Sequence, residues 1–205
     1  VSLTAGDWRR ILMELGVAEA TADHWTGAFA SEVQPEKFSR GMDDLLAFLP
    51  QVLHETGLLE RTQENLTYTS AERIRAVWPS RFPTLESARP FVRNPEALAN
   101  KVYGGRMGNT RPGDGSRYRG RGLIMVTGYD GYLWLGDLMG QDLTVNETLL
   151  EGPIYAACSA VHWWEGRVAD SMLADTVQCR RRVNGGEVGL AHCQALADLT
   201  RKVFA

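Results

Sequence analysis

Apolar positions recur at three- and four-residue intervals through much of the chain, the spacing of one buried helix face. The densest run is Leu45, Leu46, Phe48, Leu49, Val52 and Leu53, with Gly57 placed to stop it. Thr4 and Asp7 mark a capped start ahead of Trp8, Ile11, Leu12 and Leu15, a helix that reaches Gly16. Trp25 and Phe29 continue the pattern in a second helix closed near Pro35. Pro50 interrupts the third run, where an interior proline costs about 3 kcal/mol. The pattern therefore predicts either a kink or a new helix with Pro50 in its first turn. Ser70 caps a helix holding Ile74, Val77 and Trp78, bounded by Pro79 and Pro83. Asn94-Pro95-Glu96 supplies cap, first-turn proline and first-turn acid for another, which runs through Leu98 and Val102 to Gly104-Gly105. Pro153 opens a helix whose Ile154, Ala157, Val161 and Trp164 read as core, and the last helix holds Leu190, Leu196, Leu199 and Val203.

The chain has 205 residues and is 44% hydrophobic, enough for one substantial domain and marginal for two. A net charge of −3 supplies no global attraction to nucleic acid or to an anionic membrane. No apolar run approaches the roughly 18 residues of a membrane-spanning helix. The first residues alternate charged with apolar side chains, unlike a secretory signal. Cys158, Cys179 and Cys193 are odd in number and lack CxxC spacing, which argues against a disulfide scaffold and a zinc site. They read as small buried apolar residues, and a pairing between two of them stays open.

The candidate chemistry lies in FLPQVLHETGLLERTQENLTY, residues 48–68. Glu55 and Glu64 stand nine positions apart, which on one unbroken helix would separate them by roughly 13 Å and point them in opposite directions. A bend after Gly57 is needed to turn both toward one cleft, and glycine makes that bend cheap. Two carboxyl groups across a cleft suit glycoside hydrolysis, where one protonates the leaving oxygen and the other activates water or attacks. With 25 acidic residues in the chain, spacing alone leaves most such pairs as solvated surface. Residues 104–122 are rich in glycine and arginine, a composition shared with RNA-binding tails. The stretch lies mid-chain, runs into the apolar Leu123-Ile124-Met125-Val126 and has no Phe or Trp to stack bases, so no nucleic-acid role is expected. Val183-Asn184-Gly185-Gly186 is a turn by composition, where Asn184 suits a left-handed position.

HETG followed by ENLTY resembles the catalytic segment of glycoside hydrolase family 19, chitinase-like enzymes that include many phage and prophage endolysins. Residues 69–83, 93–109, 113–132 and 181–186 resemble further family segments in the family's order, including the YRGRG of Tyr118 to Gly122. The resemblance implies an α+β, mostly helical, lysozyme-like domain of two lobes with a central substrate cleft. Residues 1–205 then form a single catalytic domain with no separate cell-wall-binding module. It implies inverting hydrolysis of a β-1,4 bond beside an N-acetylated amino sugar. Glu55 is the implied general acid, kept protonated by partial desolvation against its apolar helix. Glu64 is the implied general base, and Thr127 the hydroxyl that helps position the attacking water; Thr127 equally suits a cap on the turn at Gly128. His54, Tyr68, Tyr103, Met125, Tyr132 and Asn184 are the implied substrate-binding residues. No metal or cofactor is implied, and neither nucleic acid nor membrane is an expected partner. Family members commonly read QLTGRxNY where this chain reads Met125 to Tyr132, so Met125 and Gly131 replace two amides. These departures favour bacterial peptidoglycan over chitin. The chain is then expected to be a monomeric endolysin held in the host bacterial cytoplasm until released to the cell wall.

Overall fold

Side-chain caps set the starts of five helices. In the computed structural model, which describes residues 2–205, Thr4 and Asp7 close a reciprocal capping box on α1 (Ala5–Glu14). Helices α2 (Glu19–Glu32) and α3 (Met42–Thr56) follow, with a short 3-10 turn at Pro35–Lys37. Ser70 caps α4 (Ala71–Val77) with Trp78 just past its end, and Thr84 caps α5 (Leu85–Ala88). Asn94 caps α6 (Pro95–Tyr103), with Pro95 in the first turn. Then come α7 (Asp114–Arg117), α8 (Tyr129–Met139), α9 (Pro153–Arg167), α10 (Thr176–Asn184) and α11 (Leu190–Val203).

Some expectations hold and others need correction. Helix α3 runs unbroken through Pro50, so no new helix starts there. The expected mostly helical fold holds, with isolated antiparallel bridges of Arg121 to Gln63 and Val126 among the described residues. Ile154, read as core, is 47% exposed. Ala157, Val161 and Trp164, the other core positions read on α9, are buried. The three cysteines are free, and Cys158 is only partly buried.

The chain folds into two compact units. One comprises the chain up to Thr62, Gly122–Ile124 and Thr148–Ala205, and is built on α1, α2, α3, α9, α10 and α11. Its core joins Trp8, Phe29, Phe48, Leu49 and Trp164, with Trp8 edge-on to Phe29 at 5.1 Å and Phe48 edge-on to Trp164 at 5.5 Å. The buried Asp44 carboxylate accepts from Trp164 Nε1 at 2.7 Å and from Arg40 Nε at 2.8 Å, so its charge is matched inside the core. Helix α11 packs along α3. The other unit, Gln63–Arg121 with Met125–Glu147, closes over Leu66, Ile74, Phe82, Leu98 and Val102.

Candidate active site

The apolar face of α3 buries Leu45, Phe48, Leu49, Val52 and Leu53, which leaves His54 and Glu55 at the helix end, partly exposed. Gly57 stops the helix in a left-handed conformation, its N–H bonded to the His54 carbonyl while Leu58 N–H reaches the Leu53 carbonyl. Leu58 and Leu59 also hold positive φ, 62° and 67°, which L-residues adopt only against a steric penalty. Two buried groups secure this bend. Thr56 Oγ1 donates to the Val52 carbonyl at 2.7 Å and accepts from Leu59 N–H at 2.8 Å, and Trp25 Nε1 donates to the Leu59 carbonyl at 3.1 Å.

The surroundings of Glu55 differ from the apolar wall that was expected. Arg180 of α10 donates from Nη1 to Glu55 Oε1 at 2.5 Å. The arginine side chain is 1% exposed, and its Nε is held by the Val188 carbonyl at 2.8 Å. The same carbonyl accepts from Asn184 Nδ2 at 3.3 Å. Asn184 ends α10, and Gly185 rather than Asn184 takes the left-handed cap. Beside Glu55, His54 Nδ1 lies 2.8 Å from His192 Nδ1. Burial, then the nearby Arg180 charge, lowers the His54 pKa below its ordinary value.

In the other unit, Glu64 sits on the bridge region, its N–H donating to the Gly120 carbonyl at 2.9 Å. Tyr103 Oη donates to Glu64 Oε1 at 2.6 Å and Gly120 N–H donates to Oε2 at 3.4 Å. Burial foremost, then the Glu64 charge, drives the Tyr103 hydroxyl far above the ordinary phenol range, so it remains a donor. The same two causes raise the pKa of Tyr68, whose ring packs edge-on against Trp78 at 5.3 Å. Thr127 Oγ1 donates to the Met125 carbonyl at 2.9 Å. Gly120 is the residue around which Glu64 and Thr127 meet. A Cβ there would lie 3.2 Å from Glu64 Cβ, 3.3 Å from Thr127 Oγ1 and 3.4 Å from Glu64 Oε2.

Of the remaining candidates, Met125 is half-buried with φ +50°, and Tyr132 is fully buried. The Tyr132 hydroxyl donates to the Arg119 carbonyl at 2.7 Å and accepts from Arg121 Nη1 at 3.1 Å, so it supports the loop from inside. Two arginines of residues 104–122 serve the fold similarly: Arg117 meets Glu147 and the Val145 carbonyl, and Arg119 meets Ser116. Residues 2–205 contain no group of three His, Cys, Asp or Glu side chains placed to hold a metal ion, and no helix long and apolar enough to cross a membrane.

A "Glycosyl hydrolase family 19 domain-containing protein" from Haemophilus influenzae is 34% identical over 145 residues, 70% of this chain and 71% of that protein. The chain belongs to glycoside hydrolase family 19. No family model matches it. Solved structures share the fold of this family 19 hydrolase at low identity. A mutant of chitinase C aligns over 98% of this chain and 92% of its own, at 16% identity and a TM-score of 0.59. Chitinase C from Streptomyces griseus aligns over 98% and 76%, at 17% and 0.57, and a bacterial family 19 chitinase over 98% and 95%, at 18% and 0.52.

Sequence reasoning missed four residues of this family 19 hydrolase: Arg180, His192, Gly120 and Thr56. Arg180 and His192 lie over a hundred positions from Glu55 and carry no local pattern. Gly120 and Thr56 were in view, inside YRGRG and HETG, but were assigned no role.

Proposed function

We propose that this family 19 hydrolase cleaves β-1,4 bonds of bacterial peptidoglycan with inversion, using Glu55 as general acid and Glu64 as general base. The observation that carries the reading is that Glu64 Oε2 and Thr127 Oγ1 would both lie within 3.4 Å of a Cβ at Gly120. A base and a hydroxyl held this close have a common place to hold water. Tyr103 and Gly120 fix the Glu64 carboxylate by its two oxygens, leaving its orientation little freedom. With Glu55 Oε1 taken by Arg180, Oε2 is the oxygen that delivers the proton to the leaving group. Inversion asks that the two carboxyl groups stand roughly 6.5–9.5 Å apart with a water on the far face of the sugar.

The substrate preference rests on Met125 and Gly131. Methionine offers no donor and glycine no side chain, so two hydrogen bonds to a compact sugar are lost at about 0.5–1.5 kcal/mol each. The space they leave suits a glycan carrying a lactyl-peptide branch. In that role the protein is an endolysin, acting on the wall of the cell that made it. Chitin is the second reading, favoured by the chitinases that share the fold. Turbidity clearing of outer-membrane-permeabilised bacteria, run beside glycol chitin, tests both. Clearing with weak chitin cleavage is expected, and chitin cleavage as fast as clearing removes the peptidoglycan preference. Glu55→Gln and Glu64→Gln should each lower the rate by about 10²–10⁴-fold while the protein stays folded. More than a tenth of wild-type activity in Glu55→Gln would overturn the acid assignment.

A further inference from the structure

The end of α3 is tied to the C-terminal helices by two different chemistries. Glu55 meets Arg180 of α10 in a charged contact, and His54 meets His192 of α11 through two ring nitrogens. The imidazole centroids are 5.1 Å apart with planes at 61°, so the rings meet edge-on rather than stacked. Residues 185–189 link the two helices across this corner. Their Val188 carbonyl aims Arg180 at Glu55. Gly189, at φ +77°, lies so near His54 that a Cβ would come within 2.1 Å of the ring. The loop that orients Arg180 therefore rests directly on His54.

Two nitrogens at 2.8 Å need one proton between them. A neutral pair supplies it as one Nδ1–H facing one lone pair, and so does a singly protonated pair. When both rings are protonated, two N–H donors face each other beside the Arg180 guanidinium, and the contact is lost. We propose that His192 is a positioning residue: the proton it shares with His54 latches the 185–189 loop, and through it Arg180, beneath Glu55, and double protonation opens the latch. The proposal rests on the reading of Glu55 as the acid.

The groups facing the latch are Glu55 from α3, Arg180 from α10 and the second imidazole from α11. Glu187 in the loop is engaged by Arg181. Cys193, next on α11, has its thiol pushed up chiefly by burial and stays neutral. For His54, burial and then Arg180 outweigh the opposing pull of Glu55, so its folded pKa lies below the ordinary value of about 6.5. The unfolded chain then takes up the proton first. The contribution to stability is present above about pH 6.5 and falls away as pH drops through the window below it.

The test joins activity profiles with imidazole NMR on the full chain. His192→Asn replaces the ring by an uncharged amide whose oxygen can accept from His54 Nδ1–H. It should keep more than about a third of kcat at pH 7.5 and move the acid limb of the kcat profile down by about half to one pH unit. His192→Ala should lose kcat about three- to tenfold at pH 7.5 with KM within about twofold. An acid limb in His192→Asn that superposes on wild type, or full kcat in His192→Ala, overturns the latch. Imidazole titration in the Glu55→Gln protein needs no catalysis and separates this proposal from the acid assignment. Independent titration of the two rings there refutes the latch. Coupled titration supports it even if Glu55→Gln proves active, in which case the acid assignment alone falls.

Discussion

Gly120→Ala separates stability from catalysis at one atom. Gly120 is buried but does not use the left-handed backbone region, so alanine can take its conformation. Restricting the unfolded chain should stabilise by about 0.4–1 kcal/mol. Against that, the new methyl meets Glu64 Cβ at 3.2 Å, Thr127 Oγ1 at 3.3 Å and Glu64 Oε2 at 3.4 Å, so each must yield by a few tenths of an ångström. Overpacking of this kind costs about 1–3 kcal/mol. The net loss lies between about zero and 2.5 kcal/mol, a shift of about 1 M or less in urea midpoint. Catalysis should suffer more, because the displaced atoms are the proposed base and the hydroxyl beside it. A 1 Å misplacement can cost about a hundredfold, so a few tenths should cost about tenfold in kcat. KM should change by less than about twofold, since no group assigned to sugar binding is removed. The measurement is a urea titration beside steady-state rates on glycol chitin and on permeabilised cells. A folded Gly120→Ala protein with kcat within about twofold of wild type refutes the view that Glu64 and Thr127 work across this glycine.

Arg180→Met leaves Glu55 without its buried partner and should cost about 3 kcal/mol in urea unfolding along with most of the activity; full activity would show that the contact is not needed for turnover. Arg180→Lys restores the charge but not a fork that reaches both Glu55 and Val188, so it should recover stability only in part. Thr56→Val keeps the shape of the bend after α3 while orphaning the Leu59 N–H, at about 1–3 kcal/mol; a loss under about 0.5 kcal/mol would mean the bend is held by packing alone. NMR of fresh digest should show the α-anomer first from a β-linked substrate, and initial β-anomer would remove the role given to Glu64.

Local chemistry was the legible part of this chain. Thr4, Ser70 and Asn94 sit where the helices begin because a cap needs only a side-chain oxygen two or three residues from a free N–H. Gly57 ended α3 for the same kind of reason, one backbone conformation that glycine takes without a Cβ clash. Of the two outcomes Pro50 allowed, no new helix begins there, because tertiary burial of the surrounding apolar face outweighs one missing hydrogen bond. Ile154 misled because helical spacing finds a stripe but not its edges. In the candidate site, the family motif brought Glu55, Glu64 and Thr127 into view. It did not show that Arg180 replaces the expected apolar wall, or that Tyr132 faces inward. Those facts depend on α10, α11 and the 118–132 loop folding back on residues far upstream, and such pairings leave no periodicity behind.

The unit that carries Glu55 is assembled from both ends of the chain, with the Glu64 unit encoded in the middle. A ribosome making this protein therefore releases α3 long before α10 and α11 exist to receive it. Until residues 180–192 have emerged, Glu55 has no arginine against it and the inner face of α3 has no α11 to cover it. Nascent and prematurely ended chains carry both glutamates and the whole HETG–ENLTY segment, yet lack the support of the first. The order of synthesis thus delays the support of Glu55 until α10 and α11 have docked.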